Sequence, residues 1–190
     1  MKQQDMVVLV DNYGNNLLNH TGSLSVIEKL DAHRLGLKHR AVSIFIFNDK
    51  DELLLQKRSA IKYHSPELWT NTCCTHTLPG ESPDQAAKRR LYEEMGIIAM
   101  LDEVFTFSYR VSVGNDLIEN EYDHVFFGIT NDHPSPDIAE VSDWRWQSLE
   151  DLEQSLVKSP EKFSPWLCEC FNEVIRYWYI KGESLEASRN

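Results

Sequence analysis

Side chains that can hold a metal ion or move a proton are concentrated between residues 73 and 94. Cys73, Cys74 and His76 follow a short apolar and β-branched run that predicts a loop after a strand, and Arg90 and Glu94 lie four residues apart on a predicted helix. Residues four apart share one face of a helix. A thiol and an imidazole facing a helix that carries Arg and Glu indicate a site for a metal ion and an anionic substrate.

A second group of candidate residues lies on a predicted β-hairpin. Residues 105–113 alternate between apolar and polar side chains, and residues 117–129 return as the partner strand. The dipeptide Gly114-Asn115 between them is a hairpin turn signal. A two-residue turn places Arg110 opposite Glu119 and Ser108 opposite Glu121.

The second strand of this hairpin carries acids at alternate positions. Side chains two residues apart on a strand leave the same face, so Glu119, Glu121 and Asp123 point together. Acids placed this closely repel each other unless a cation lies between them. The pattern therefore indicates a cation site, and the alternative is a solvent-facing row of acids with Arg110 as its counter-ion.

Three histidines are candidates to complete such a site. His33 and His39 follow residues 27–30, where the periodicity does not decide between helix and loop. A single histidine is most often a solvated surface residue, which is the alternative for each of them. Together with His76 and two carboxylates they make a mixed nitrogen and oxygen set that suits Mn²⁺, Mg²⁺ or Zn²⁺.

The helix that carries Arg90 has signals at both ends. Ser82 is a capping residue, Pro83 suits the first helical position, and Gln85 completes a capping box. Gly96 ends the helix because glycine adopts the left-handed conformation at little cost. Its apolar stripe consists of Ala87, Leu91 and Met95.

The remaining elements follow from periodicity and turn signals. The chain is expected to form strands at residues 6–11, 41–48, 53–57 and 144–146, with a Pro-rich loop at 131–137. Ser148 caps a short helix that runs to about Val157. The last helix begins at Phe163-Ser-Pro-Trp166 and ends at Gly182, and its buried stripe consists of Leu167, Cys170, Phe171, Val174 and Trp178.

Composition limits the classes of function. The 190 residues are 42% hydrophobic, so we expect residues 1–190 to form a single globular domain. A net charge of −11 argues against a nucleic-acid partner. The first apolar run is too short for a signal peptide and no stretch is long enough to span a bilayer, so we expect a cytoplasmic protein. The four cysteines lack the spacing of a zinc knuckle or a secreted disulfide framework and are expected to be free thiols.

The stretch from 75 to 97 resembles the Nudix box. Two positions depart from that pattern: Thr75 replaces the opening Gly, and Arg90 replaces the first Glu of an Arg-Glu pair. Carboxylates there gather divalent ions, whereas Arg repels cations and attracts phosphate. The resemblance implies an α/β (α+β) fold with a Nudix-like mixed β-sheet sandwiched by helices, with additional N-terminal and C-terminal elements, and argues against ordinary Nudix hydrolysis. The matching residues are Glu81, Arg89, Leu91, Glu93, Glu94, Gly96 and Ile97.

The segment Trp69-Thr70-Asn71-x-x-Cys74-x-His76 is similar to type I isopentenyl-diphosphate isomerases, a family of the Nudix superfamily. Further matching residues occur within 27–39, 58–97, 109–121 and 163–166. The resemblance implies interconversion of isopentenyl diphosphate and dimethylallyl diphosphate through a tertiary carbocation, in isoprenoid biosynthesis. The Cys-x-His spacing assigns the family's thiol to Cys74.

The same resemblance implies a role for each matching residue. The first metal ion is held by His33, His39, His76, Glu119 and Glu121, and a second ion, usually Mg²⁺, bridges the substrate diphosphate and Glu94. Proton transfer falls to Cys74 and Glu121 with help from Tyr109, and Trp166 shields the carbocation. An alkene is a poor base, so it needs a positioned acid and a base on the opposite face; which of the two groups protonates first stays open. The diphosphate is bound by Lys29, Arg58, Lys62 and Arg90.

Other interpretations remain open at this level. Arg58 and Lys62 could be a solvated basic edge of a sheet, and Trp166 could be a lid over the core. The whole chain could be a Nudix pyrophosphohydrolase or a non-catalytic module that binds an anion. The resemblance to the isomerases implies a small-molecule allylic or homoallylic diphosphate as the partner, and we expect no nucleic acid, no membrane, and a monomer or weak homodimer.

Overall fold

The computed structural model describes residues 6–187, and of residues 181–187 only the backbone. Over these residues the chain forms strands β1 Met6–Val8, β2 Val26–Glu28, β3 His39–Phe47, β4 Glu52–Arg58, β5 Trp69–Thr70, β6 Cys73–His76, β7 Leu101–Ser112, β8 Ile118–Ile129 and β9 Val141–Ser148. The helices are α1 Lys29–Leu35, α2 Pro83–Met95, α3 Leu149–Lys158 and α4 Pro165–Ala187, with a 3₁₀ turn at Pro160–Lys162.

Seven strands make one mixed sheet in the order β5-β4-β3-β8-β7, to which β6 is added beside β3 and β9 beside β4. Strands β3 and β8 are parallel, in a register that runs from His39 opposite Glu121 to Phe47 opposite Ile129. The other pairs in this sheet are antiparallel. Strands β1 and β2 form a separate small sheet near the N-terminus.

The sheet divides between β3 and β4. These two strands pair only at Phe47 and Leu53, and the rest of the same edge of β3 pairs with β6. Strand β4 diverges from β3 toward Arg58 and pairs with β5 and β9 instead. A space therefore opens between the end of β4 and strand β6, and α2 follows β6 beside it.

Helices cover both faces of the sheet, so the expected sandwich of the α+β class is confirmed. The division follows from the period-two alternation of β3. Phe45 and Phe47 face α3 and α4, while Val42, Ile44 and Ile46 face α2. Helix α4 contributes Leu167, Cys170, Phe171, Val174 and Trp178 to the first core, and α2 contributes Ala86, Ala87, Leu91 and Met95 to the second.

The end signals of α2 and α3 act as expected. Ser82 and Gln85 form a complete capping box, and Gly96 has φ of +67° and closes the helix with an N–H bond to the Tyr92 carbonyl. Ser148 accepts a hydrogen bond from the Asp151 N–H and caps α3. The capping predictions for these two helices are confirmed.

Three local predictions are wrong. Residues 73–76 form strand β6 rather than a loop, because their backbone pairs with residues 41–44 of β3. The first strand ends at Val8, short of the predicted Asp11. Helix α4 continues past Gly182 to Ala187, since a glycine inside a helix costs only about 1 kcal/mol and does not oblige the helix to stop.

The register of the β7–β8 hairpin also differs from the prediction. Its turn has three residues, Gly114, Asn115 and Asp116, all with positive φ, and not two. The extra residue shifts the pairs from Phe105 to Ser112 by one position, so Tyr109 lies opposite Glu121 and Arg110 lies opposite Asn120. Arg110 therefore does not neutralise the acids of β8. Residues 27–30, which were ambiguous by periodicity, form the end of β2 and the start of α1.

Within the described residues, no helix combines the length and apolar character needed to cross a membrane.

The aromatic packing between the sheet and α4 generates a stability prediction. Phe47 is fully buried, and its ring stacks on Trp178 with centroids 3.7 Å apart. We expect Phe47→Ala to lower the free energy of unfolding by about 3–5 kcal/mol because the cavity cannot collapse fully. Urea unfolding followed by tryptophan fluorescence measures this change. The control Ile138→Ala, at a side chain that is 86% exposed, should change it by less than about 0.5 kcal/mol, and equal losses would contradict the assignment of the core.

Candidate active site

Strand register brings the candidate residues onto one face of the sheet. Three rows cross the strands there: His39 with Glu121 and Tyr109, Ala41 with His76 and Asp123, and Ser43 with Cys74 and Val125. Residues paired across strands point to the same side. Because Phe45 and Phe47 continue the same face of β3 toward α4, the polar cluster lies at one end of an otherwise apolar surface.

Five side chains converge in this polar cluster, which we call the His/Glu cluster. Their nitrogen and oxygen atoms all lie within 4.8 Å of one another, and four of the five residues are buried. His33 is supplied by α1, His39 by β3, His76 by β6, and Glu119 and Glu121 by β8. The surface alternative for His33 and His39 is wrong, since both are 0% exposed.

The hydrogen bonds of two imidazoles leave their Nε2 lone pairs free to bind an ion. His33 Nδ1 lies 2.5 Å from the Lys29 carbonyl and His39 Nδ1 lies 2.8 Å from the Leu37 carbonyl. A carbonyl only accepts, so each Nδ1 carries the hydrogen in the neutral imidazole. This arrangement fixes the tautomer in the manner of metal-binding histidines. His39 Nε2 is 3.1 Å from His76 Nε2 and 3.5 Å from Glu121 Oε1.

The contact between His33 and Glu119 also leaves polar atoms available to bind an ion. His33 Nε2 and Glu119 Oε2 approach to 2.9 Å, yet the two atoms are not aligned for a hydrogen bond, and both are buried without a hydrogen-bond partner among the described residues. Buried polar atoms without partners are rare and indicate a missing ligand or ion. The donor set therefore fits a divalent cation.

The ionisation states in the cluster also favour a cation. Burial alone would raise the pKa of both carboxyl groups, but the contacts of Glu119 with His33 and His64 and of Glu121 with His39 lower each pKa to about 2. Burial lowers the pKa of His76 well below its usual range, with a further contribution from the charge of Lys29. The cluster thus combines two carboxylates with a neutral imidazole at His76.

Two buried residues near the cluster were missed from the sequence. His64 Nε2 lies 3.1 Å from Glu119 Oε1 and the ring packs edge-on against Trp166. Asp123 Oδ2 accepts a hydrogen bond of 2.6 Å from Ser43 Oγ. Asp123 was grouped with the acids of β8 but given no role. His64 had no signal of its own, because the segment that carries it is irregular.

Cys74 is held by polar residues outside the His/Glu cluster. Its Sγ donates to Asn71 Oδ1 at 3.0 Å and lies 3.6 Å from Ser43 Oγ. Asn71 in turn accepts from Thr70 Oγ1 at 2.9 Å, and Thr70 Oγ1 accepts from Trp166 Nε1 at 2.9 Å. One chain of hydrogen bonds therefore fixes both the thiol and the indole.

Cys74 and Glu121 differ in protonation state. Burial, together with the charge of Asp123, raises the pKa of Cys74 to about 12, so the thiol keeps its proton at neutral pH. Glu121 is ionised, and its Oε2 accepts a hydrogen bond of 2.5 Å from Tyr109 Oη. Environments that separate two pKa values in this way are typical of acid–base pairs.

A single cavity of about 530 Å³ joins these groups. Its wall includes Cys74, Glu121, Tyr109 and Trp166 together with five cationic side chains. Arg58 is 8% exposed, so a solvated basic edge is wrong for that residue. The cations are Lys29, Arg58, Lys62, Arg89 and Arg90.

The cations differ in how their charges are balanced. Arg58 donates to the carbonyls of His64 and Ser65, and its guanidinium lies 5.0 Å from the centroid of the Trp166 ring. Arg90 pairs with Glu93 at 2.8 Å and with the buried Glu94. Glu94 therefore lies beside one of these cations in the cavity wall.

The chain is similar to known proteins over most of its length. The NUDIX domain family matches residues 37–167. The chain is 50% identical to Isopentenyl-diphosphate Delta-isomerase 1 of Aromatoleum aromaticum, over 90% of this chain and 93% of the relative. It is 47% identical to Isopentenyl-diphosphate Delta-isomerase of Pectobacterium atrosepticum, over 80% and 86% of the two chains.

Solved structures share the fold at low sequence identity. DR0079 from Deinococcus radiodurans matches with a TM-score of 0.71 and 17% identity, covering 88% of this chain and 98% of that one. A MutT protein from Methanosarcina mazei matches with a TM-score of 0.61 and 22% identity, covering 73% and 94%. The expected Nudix fold is confirmed by these neighbours and by the domain match. At 42–50% identity over most of its length, the chain belongs to the isopentenyl-diphosphate Delta-isomerase family of the Nudix superfamily.

Proposed function

We propose that the protein interconverts isopentenyl diphosphate and dimethylallyl diphosphate by protonating and deprotonating carbon. The observation that carries this proposal is the shared cavity, whose wall has a protonated thiol, an ionised carboxylate and cations that can bind a diphosphate. Moving a double bond requires such an acid and such a base on opposite sides of a flat hydrocarbon. Family membership supports the same substrate.

The proposed metal site is the His/Glu cluster. Its mixed imidazole and carboxylate donors suit Mn²⁺, Mg²⁺ or Zn²⁺, and the free Nε2 lone pairs and the unpartnered Glu119 oxygen support an ion at this position. When bound, the ion supplies Lewis acidity and neutralises the two carboxylates. A second divalent ion, Mg²⁺ by preference, would be held by Glu94 together with the substrate diphosphate.

Cys74 and Glu121 would exchange the proton with the substrate. In the resting state the proton lies on Cys74 Sγ, directed by Asn71, and the Tyr109 hydroxyl is the nearest proton source for Glu121. The two groups exchange the roles of acid and base when the reaction runs backwards. Glu121 is 6% exposed and Cys74 is partly exposed, and both border the cavity in which a ligand would lie.

Trp166 would stabilise the carbocation that forms between these steps. Its ring is 4% exposed, borders the cavity, and is fixed by the bond from Nε1 to Thr70. A cation–π contact contributes roughly 2 kcal/mol when it is desolvated. The aromatic wall also keeps water from adding to the cation, which would give an alcohol.

The diphosphate would be bound by Lys29, Arg58, Lys62 and Arg90. Binding the substrate and the transition state equally does not by itself accelerate the reaction. Its effect is to hold the isoprenyl tail between Cys74 and Glu121. A small-molecule diphosphate is thus the proposed partner, and cytoplasmic localisation and a monomer or weak homodimer stay predictions.

Incubation of the protein with isopentenyl diphosphate, Mg²⁺ and Mn²⁺ in deuterated water tests this function. We expect deuterium in the dimethylallyl diphosphate product, because the proton added to carbon comes from an exchangeable group. Nuclear magnetic resonance and mass spectrometry identify the product. Cleavage of the diphosphate would favour a pyrophosphohydrolase, and an unchanged bound ligand would favour a binding module; either result contradicts the proposal.

Removing the thiol should stop turnover without unfolding the protein. We expect Cys74→Ala to lower kcat by about 10²–10⁴-fold, the usual contribution of a positioned acid or base. Glu121→Gln, measured in the same assay, should also abolish turnover. The matched control is Cys168→Ala, because Cys168 is exposed on α4 away from the cavity and its loss should leave kcat unchanged. Near-normal activity of Cys74→Ala would refute the assigned role.

Titration with Mn²⁺ tests the His/Glu cluster independently of activity. We expect His76→Ala to weaken binding by at least about a hundredfold, and His64→Ala by about 10–100-fold because it orients Glu119 from outside the ligand set. Isothermal calorimetry measures both affinities. His20→Ala, at an exposed histidine outside the cluster, is the control and should bind Mn²⁺ as the unmodified protein does. Equal affinities for Mn²⁺ in all three variants would show that the ion binds outside the His/Glu cluster.

A further inference from the structure

Glu140 occupies a position between two of the proposed diphosphate-binding cations. It is the last residue before β9 and borders the cavity. Its Oε2 pairs with Lys62 Nζ, and its Oε1 lies 3.2 Å from Arg90 Nη2. In the described part of the chain, Lys62 makes no other ion pair. A carboxylate thus bridges the two cations, as an oxygen-rich anion would.

The backbone of Glu140 is fixed, but its side chain can move. The Ser59 N–H donates to the Glu140 carbonyl at 3.0 Å, and the Glu140 N–H donates to the Asp137 carbonyl at 2.9 Å. The side chain is 25% exposed, so a change of rotamer could carry the carboxylate out of the cavity without disturbing the sheet. Arg90 would keep its pairs with Glu93 and Glu94 after such a change.

The charge of Glu140 is maintained by its partners. Burial alone would raise the pKa of Glu140, but Lys62 and Arg90 outweigh this effect and the pKa is lowered. An anionic ligand that approaches Lys62 and Arg90 therefore meets a carboxylate already bound to them. Like charges that share one pair of cations repel, so the ligand and the carboxylate compete for the same site.

We infer that Glu140 is an anionic placeholder that holds Lys62 and Arg90 in position and is displaced by the diphosphate of the substrate. This inference rests on the proposed function for the identity of the ligand. A single phosphate carries less negative charge and bridges a shorter distance, so it displaces the carboxylate less readily than a diphosphate. Glu140 would then contribute to the selection of diphosphates over monophosphates.

Calorimetric titration of the full chain with inorganic diphosphate and inorganic phosphate, in the presence of a chelator, tests this inference. We expect Glu140→Gln to bind diphosphate about five- to tenfold more tightly, because one competing charge is removed while the shape is kept. Affinity for phosphate should rise more than affinity for diphosphate. The preference for diphosphate over phosphate, expressed as the ratio of the two affinities, should therefore decrease. Glu140→Ala should change both affinities in the same direction and serves as the second variant.

Glu67→Gln is the matched control, because it removes the same charge from an exposed glutamate that pairs with Lys57 outside the cavity. Affinities of Glu140→Gln equal to those of this control would overturn the inference. Weaker binding in Glu140→Gln would also overturn it and would show that Glu140 supports the ligand. If the unmodified protein had no isomerase activity and Glu140→Gln still bound diphosphate more tightly, the proposed function would be refuted. The inference that Glu140 is a placeholder would remain supported.

Discussion

The arrangement of this protein depends on the burial of two carboxylates, Glu119 and Glu121, beside three imidazoles. Two ionised acids on one face of a strand repel each other, and burial strengthens that repulsion because the surroundings screen it poorly. When the surrounding imidazoles are neutral, their Nε2 atoms bring lone pairs to the same space and no balancing charge. In our account a divalent cation balances this charge, and the mixed sheet provides the rigid frame that brings the ligands of α1, β3, β6 and β8 together.

The same frame explains why the proposed acid–base pair can act across one cavity. Parallel pairing of β3 with β8 and antiparallel pairing of β3 with β6 place Glu121 and Cys74 on one face, on either side of β3, with their partners His39 and Ser43 four residues apart. The division of the sheet between β3 and β4 leaves space for a ligand beside them. Helix α4 then brings Trp166 over that space, and the bonds through Thr70 and Asn71 link the position of the indole to that of the thiol. The proposed catalytic residues and the apolar residues that pack against α4 thus lie on one face of the sheet.

Sequence alone was sufficient where the signals are local. The capping box and terminal glycine of α2, the alternation of β7, and the buried stripe of α4 depend on neighbours within a few residues. It was insufficient where a distant partner decides the structure. Strand β6 has four residues and exists because β3 pairs with it. The predicted hairpin register is wrong because Asp116 belongs to the turn and has a positive φ, a conformation that non-glycine residues adopt infrequently. His64 was missed because its contact with Glu119 crosses 55 positions of sequence and leaves no periodic signal.

The central claim is that a divalent ion lies among His33, His39, His76, Glu119 and Glu121 and fixes Glu121 opposite Cys74. Anomalous diffraction from crystals soaked in Mn²⁺, recorded at the manganese absorption edge, tests it most directly. Our account predicts one strong peak within coordination distance of all five side chains, with Glu121 and Cys74 facing the same cavity. A peak only among the carboxylates of α2, or no peak at the His/Glu cluster at saturating Mn²⁺, would contradict it.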